Sequence, residues 1–288
     1  TSSFYFKNKE VKPQEIKEKL GVSIFIEGSV RLSGDKIRIT VQMIDAIADF
    51  HFWSETFDRE LKNVFAVQDE IAAAIVKELG LMIGDQSTAQ VTVKKTTDNL
   101  DAYELFLKAQ GMYHSRSKKN LPEIAELYEQ AVEIDPGFAE AWTGLAVTYM
   151  VFPGWNLGSE EDYYPKAIEA ADRATSIDDQ LALPYTVRGS IATDGGDMIG
   201  GVEQMDKALE LDPKNLNTVY FRATVLLDLG YFNQAKTGLE HCLELDPSYD
   251  ICTRFLSFIL LYQGEHDQAN ALFEAGMLKG QQSYHNVF

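Results

Sequence analysis

One short phrase returns along the chain at a fixed interval. Val132-Glu133-Ile134-Asp135-Pro136 recurs as Leu209-Glu210-Leu211-Asp212-Pro213 and as Leu243-Glu244-Leu245-Asp246-Pro247, with a degenerate copy at Ser176-Ile177-Asp178-Asp179. Pro213 and Pro247 lie 34 residues apart, and Asp179, standing where the proline would be, lies 34 before Pro213. Self-similarity at such a period means stacked supersecondary units, none able to bury its apolar face alone. Each phrase closes a helix. Its apolar residues end against a core, and proline cannot continue the hydrogen-bond ladder. Residues 98–288 are therefore expected to form about five pairs of antiparallel helices, making the protein mainly α.

Small and punctuating residues hold constant offsets between the phrases. Ala223, Gly230, Ala235, Leu239 and Cys242 lead to Pro247, and Ser257, Gly264, Ala269, Phe273 and Gly276 follow at the same offsets. Tyr185, Gly189, Gly196, Gly201, Met205 and Ala208 lead to Pro213. Small residues recur where helices cross, because a larger side chain would hold the axes apart. The interval from Pro136 to Asp179 is 43 residues, nine longer than the others. The excess falls around Val151 to Tyr164 and carries Phe152, Pro153, Trp155, Tyr163 and Tyr164. Insertions in a solenoid map to loops on one rim. These aromatics either fold back over the gap they create or form a binding loop with Trp155 as its candidate.

Period, residue types and breakers over about 100–279 resemble the tetratricopeptide repeat. The resemblance implies a superhelix whose first helices line a concave groove. By the repeat offsets, that lining includes Thr143, Val147, Thr186, Ser190, Tyr220, Thr224, Arg254 and Phe258. The set is mixed and partly aromatic, which suits an extended peptide or helix better than a phosphate. The Lys and Asn positions by which some members of that family clamp a terminal carboxylate are not found.

Residues 1–93 read differently. Pro13 near the start and Gly21 after the end mark a short helix. Val22 to Leu32 is β-prone, Ser33-Gly34-Asp35-Lys36 supplies a turn, and Ile37, Ile39, Val41 and Met43 alternate with polar residues. Thr1 to Phe6 and Phe50 to Phe57 are further strand candidates. Val64, Val67, Ile71, Ile75 and Leu79 share one helical face, with a stop expected near Gly80. This is a small α+β unit, and 81–97 reads as a linker. Ser2-Ser3-Phe4, Glu27-Gly28-Ser29-Val30-Arg31, Ile37 to Gln42, Trp53 to Leu61 and Phe65 to Ile71 together resemble the TolB-N-terminal-like domain. That domain precedes tetratricopeptide repeats in bacterial adenylate-cyclase-associated proteins and winged-helix transcriptional regulators. In it a further strand and helix stand before the Ser-Ser-Phe block, so the resemblance implies a sheet edge left open here.

Charge and composition narrow the function. Residues 1–93 hold 11 basic against 14 acidic residues and 94–288 hold 15 against 30, for a net charge of −18. An acidic surface repels phosphate backbones, so direct nucleic-acid binding is not expected. No P-loop, Gly-x-Gly-x-x-Gly, HExxH or CxxC occurs, and the five histidines show no metal spacing. No catalytic residue, cofactor or metal is expected. Arg188 and Arg222, 34 residues apart, are expected to make surface ion pairs rather than a ligand ladder. Cys242 and Cys252 are expected as unpaired, buried small residues on neighbouring helices. No run is long and apolar enough to span a bilayer. The expectation is a non-enzymatic sensory or partner-binding module of a bacterial signalling protein, cytoplasmic or periplasmic, or alternatively an envelope or secretion assembly factor. Its partner would be a protein or peptide. A homodimer through the open N-terminal sheet edge is also expected, since unpaired backbone is a template for another chain.

Overall fold

The computed structural model describes residues 11–48, 50–60, 64–83, 96–113, 117–246 and 249–274. The expected strand at Thr1 to Phe6, most of the linker, Pro247 and the C-terminal residues from 275 lie outside them. The chain divides into two compact units, Thr1–Leu100 and Asp101–Phe288.

In the first unit, helix α1 (Pro13–Leu20) closes on Gly21, whose φ of 67° is the left-handed conformation that glycine adopts without strain. Strands β1 (Ile24–Ser33), β2 (Lys36–Asp45) and β3 (Phe50–Glu60) form an antiparallel sheet in the order β1-β2-β3. The register of β1 on β2 runs unbroken from Ile24↔Asp45 to Ser33↔Lys36. The irregularity lies between Met43 and Ile44, where β2 meets β3. Helix α2 (Val64–Ile83) lays Val67, Ile71, Ala74 and Ile75 over Ile39, Val41, Trp53 and Phe57. It passes Gly80 rather than stopping there. A lone glycine costs a helix only about 1 kcal/mol, and apolar Leu81, Met82 and Ile83 follow it without a proline.

The second unit is a run of helices: α3 (Leu100–Tyr113), α4 (Leu121–Ile134), α5 (Ala139–Val151), α6 (Glu160–Ile177), α7 (Ala182–Asp194), α8 (Met198–Leu211), α9 (Leu216–Asp228), α10 (Phe232–Leu245) and α11 (Asp250–Tyr262). A last helical stretch covers 266–274. The repeated phrase gains a second mechanism here. Each aspartate follows the last helical residue, and its carboxylate turns back on the chain. Asp135 Oδ1 accepts from the Gly137 amide at 2.9 Å, Asp178 Oδ1 from Gln180 at 3.1 Å and Asp212 Oδ1 from Lys214 at 3.2 Å. This Asx turn stops a helix without needing proline, so the degenerate copy at Asp178 still ends α6.

Two apolar cores run through the unit. One is built on Phe106, Ile124, Tyr128, Phe138 and Leu145, the other on Leu226, Leu239, Leu256 and Ile259. Ala208 and Ala235 are fully buried. Ala235→Leu or Ala208→Leu is therefore expected to overpack a crossing and cost about 1–3 kcal/mol. Lys214→Leu, on an exposed turn, is expected to shift stability by less than ~0.5 kcal/mol. Thermal melts of the three variants check this, and equal midpoints would refute the repeat register.

The cysteines depart from the expectation of free thiols. Cys242, near the end of α10, and Cys252, near the start of α11, form a disulfide with Cα atoms 6.6 Å apart. Both are fully buried, on neighbouring helices as expected. The ten-residue separation carries the chain around the Asp246 turn and brings the two helix ends side by side, within disulfide reach.

Candidate functional site: the concave groove

The first helices of the pairs, α5, α7, α9 and α11, carry equivalent positions in columns. Two adjoining cavities of about 490 and 340 Å³ open along these columns and share Tyr113, Val147, Leu183 and Asn217. Glu140, Thr143, Val147, Leu183, Thr186, Tyr220 and Ile251 contribute walls. Asn217 and Ile251 follow Leu183 at successive 34-residue steps.

Of the residues read from sequence, Thr143, Val147, Thr186 and Tyr220 line the cavities, and Trp155 joins them from the insertion. Ser190, Thr224, Arg254 and Phe258 do not line them. Ser190 is half-buried, its hydroxyl without a hydrogen-bond partner among the described residues. Thr224 donates to Phe221 O at 2.8 Å, and Arg254 and Phe258 are exposed. The column Glu140, Leu183, Asn217 and Ile251, one turn nearer the helix N-termini, was missed. Its periodic signal is the same as that of the column chosen.

The cavity walls are polar by amides and phenols, not by cations. Thr143 spends its hydroxyl on Ala139 O at 2.9 Å, and the Thr186 and Thr218 hydroxyls share a 2.6 Å bond between α7 and α9. Those residues offer methyl groups and rigidity. Tyr249 donates its phenol to Asn217 Oδ1 at 3.3 Å, holding that amide at the wall. Tyr220 stands edge-on to Tyr249 and Phe255, with ring centroids 6.0 and 5.9 Å apart. Burial pushes the Tyr220 phenol pKa up, with Tyr249 adding to the rise, so it stays a neutral donor. Glu140 and Asp212, in the larger cavity, are the acidic residues of the two linings, and neither lining includes Lys or Arg.

The insertion does two things at once. Phe152 is buried, and Tyr163 packs on it and on Tyr149 with ring centroids 4.7 and 5.6 Å away. These aromatics close the gap. Trp155, in a single 3-10 turn over Pro153–Trp155, remains 41% exposed at the cavity mouth. The arginines are spent elsewhere, as expected. Arg188 binds Asp172 and Thr175, and Arg222 binds Asp206.

The class this geometry defines is a helical repeat with cavities opening along its first helices. Residues 216–249 match the family described as tetratricopeptide repeat. The chain is 32% identical over 181 residues to a Rhizobium meliloti (strain 1021) protein named "Putative adenylate cyclase 3", covering 62% of this chain and 30% of that one. It thus spans under a third of that relative's length. Among solved structures, TTC0263, a thermophilic repeat protein of Thermus thermophilus, aligns with a TM-score of 0.52 at 16% identity, over 64% of this chain and 94% of that one. PilW, a type IV pilus biogenesis factor, aligns at 0.51 and 18% identity, over 64% and 79%. At those identities the likeness is one of fold. The helical unit is tetratricopeptide-like, and a small three-stranded sheet precedes it. No helix among the described residues is long and apolar enough to cross a membrane.

Proposed function

We propose that the helical unit is a non-enzymatic recognition module that holds an extended segment of a protein partner across Asn217, Tyr220 and Trp155. The observation carrying this reading is the pair of adjoining cavities, walled by aromatic rings and by an amide fixed through Tyr249. Amide side chains match the donor and acceptor pattern of a peptide backbone, and aromatic walls take its apolar side chains. The acidic walls and the surplus of acidic residues in 94–288 favour a partner segment bearing lysine or arginine. The named cyclase relative and the TolB-N-terminal-like resemblance of residues 1–80 support a place in bacterial signalling, with residues 1–93 and 98–288 as separate domains.

Selection from a random-peptide display library on the purified chain tests the reading. Selected peptides are expected to be basic and apolar. Tyr220→Ala and Asn217→Ala are each expected to weaken them about tenfold or more, as hot-spot truncations do, whereas Arg254→Ala changes little. Binding indifferent to both groove substitutions, measured by calorimetry, would refute the site.

A further inference from the structure

The outer edge of the N-terminal sheet carries its own complement. Among the described residues β1 pairs only with β2. The two-residue turn Gly34-Asp35 makes Ser33 and Lys36 the closing hydrogen-bonded pair. Bonding alternates along an antiparallel pair, so Ser33, Arg31, Ser29 and Glu27 turn their backbone groups toward β2. Leu32, Val30, Gly28 and Ile26 turn theirs outward. The register sets Val30 beside Ile39 and Gly28 beside Val41, so these outward residues carry their side chains on the face that α2 covers. The cover stops short of them: Ile26, Val30 and Leu32 are 47, 62 and 64% exposed. Glu27 and Arg31 stand on the opposite face. Arg31 lies across from Arg38, whose guanidinium is taken by Asp58 at 2.6 and 2.8 Å. Among the described residues neither Glu27 nor Arg31 makes an ion pair.

We propose that β1 pairs with β1 of a second copy of this chain, antiparallel, about a two-fold axis through Ser29. That axis sets Gly28 opposite Val30 and Ile26 opposite Leu32, so the outward backbone groups of one edge meet those of the other. Glu27 of each chain faces Arg31 of the other in non-hydrogen-bonded pairs, where side chains approach most closely. Two cross-chain ion pairs form together, and each places an anion against Arg31 beside Arg38. The exposed apolar rows meet on the other face. Moving the axis to Gly28 or Val30 sets Glu27 opposite Ser29 or Ser33, so the charges select one register. The product is a closed two-fold dimer with a continuous sheet.

Analytical ultracentrifugation of the full chain over a concentration series tests this. A monomer–dimer equilibrium is expected. Glu27→Arg or Arg31→Glu alone sets like charges opposite each other and is expected to weaken dimerisation about tenfold. The double reversal restores it. Val30→Pro removes an outward amide that serves no bond to β2, and is expected to abolish the dimer with the circular dichroism unchanged. A chain that stays monomeric well above micromolar concentration would overturn the proposal. So would a dimer that survives Val30→Pro, or a double reversal that fails to rescue.

Discussion

Replacing Gly189 with leucine is expected to lower the melting temperature by roughly 6–12 °C, the equivalent of about 3 kcal/mol for a unit of this size. Helices α7 and α8 cross glycine on glycine. A Cβ at Gly189 would stand 2.8 Å from the Gly201 carbonyl oxygen and 2.9 Å from Met205 Cγ. A Cβ at Gly201 would in turn stand 2.8 Å from the Gly189 carbonyl and 2.6 Å from Thr193 Oγ1. Backbone oxygens cannot rotate aside, so the helices must part, and burial along the whole crossing is lost. The control is Gly111→Ala in α3, where a Cβ meets nothing within 4 Å. There the greater helix propensity of alanine is expected to add up to ~1 kcal/mol. Circular dichroism melts separate the two, and a Gly189→Leu variant that melts with the parent would refute the crossing.

Reducing the disulfide, or replacing Cys242 and Cys252 together by alanine, is expected to cost about 2–3 kcal/mol, the loop-closure value for a loop of about ten residues. The loss should stay local. In a repeat array each pair leans on its neighbours, so the amides of α10 and α11 bear the change. Their hydrogen exchange is expected to quicken roughly 30–160-fold, with α5 and α6 unaffected. Because both sulfurs are fully buried, a dithiol reductant must wait for that repeat to open. Equal exchange with and without the bond would mean that it does not constrain the repeat.

The repeats were legible because their signals are local and redundant. Ala208 and Ala235 sit fully buried where the period placed small residues, and Gly230 and Gly264 take left-handed conformations of φ 81 and 79° just after α9 and α11. The groove was legible only in part. Positions four apart share nearly the same angle around a helix, so periodicity cannot choose between Tyr220 and Thr224, or see that Asn217, a turn earlier, also faces the open space. That depends on how neighbouring helices fill the volume, which no single repeat encodes. The disulfide was missed for a related reason. Two cysteines ten apart become adjacent only through the tight reversal at Asp246, and a pair alone carries no framework signal. In the first unit the alternation of Ile37 to Met43 gave β2 directly, while α2 ran past a glycine too weak to stop it.

The eight-residue stretch between α5 and α6 has a bearing on motion along the groove. A strictly periodic surface would hold a ligand chain equally well one step further on, and such a chain would slide. Here translation does not repeat the surface. Leu183, Asn217 and Ile251 occupy one offset with an alkyl, an amide and a branched alkyl group, and Trp155 stands at only one place on the rim. A step of one repeat would leave the Asn217 amide facing whatever had lain against Leu183, and would carry the aromatic contact off its ring. On the proposed reading, a chain seated there is expected to keep one phase, set by the place where the repetition fails.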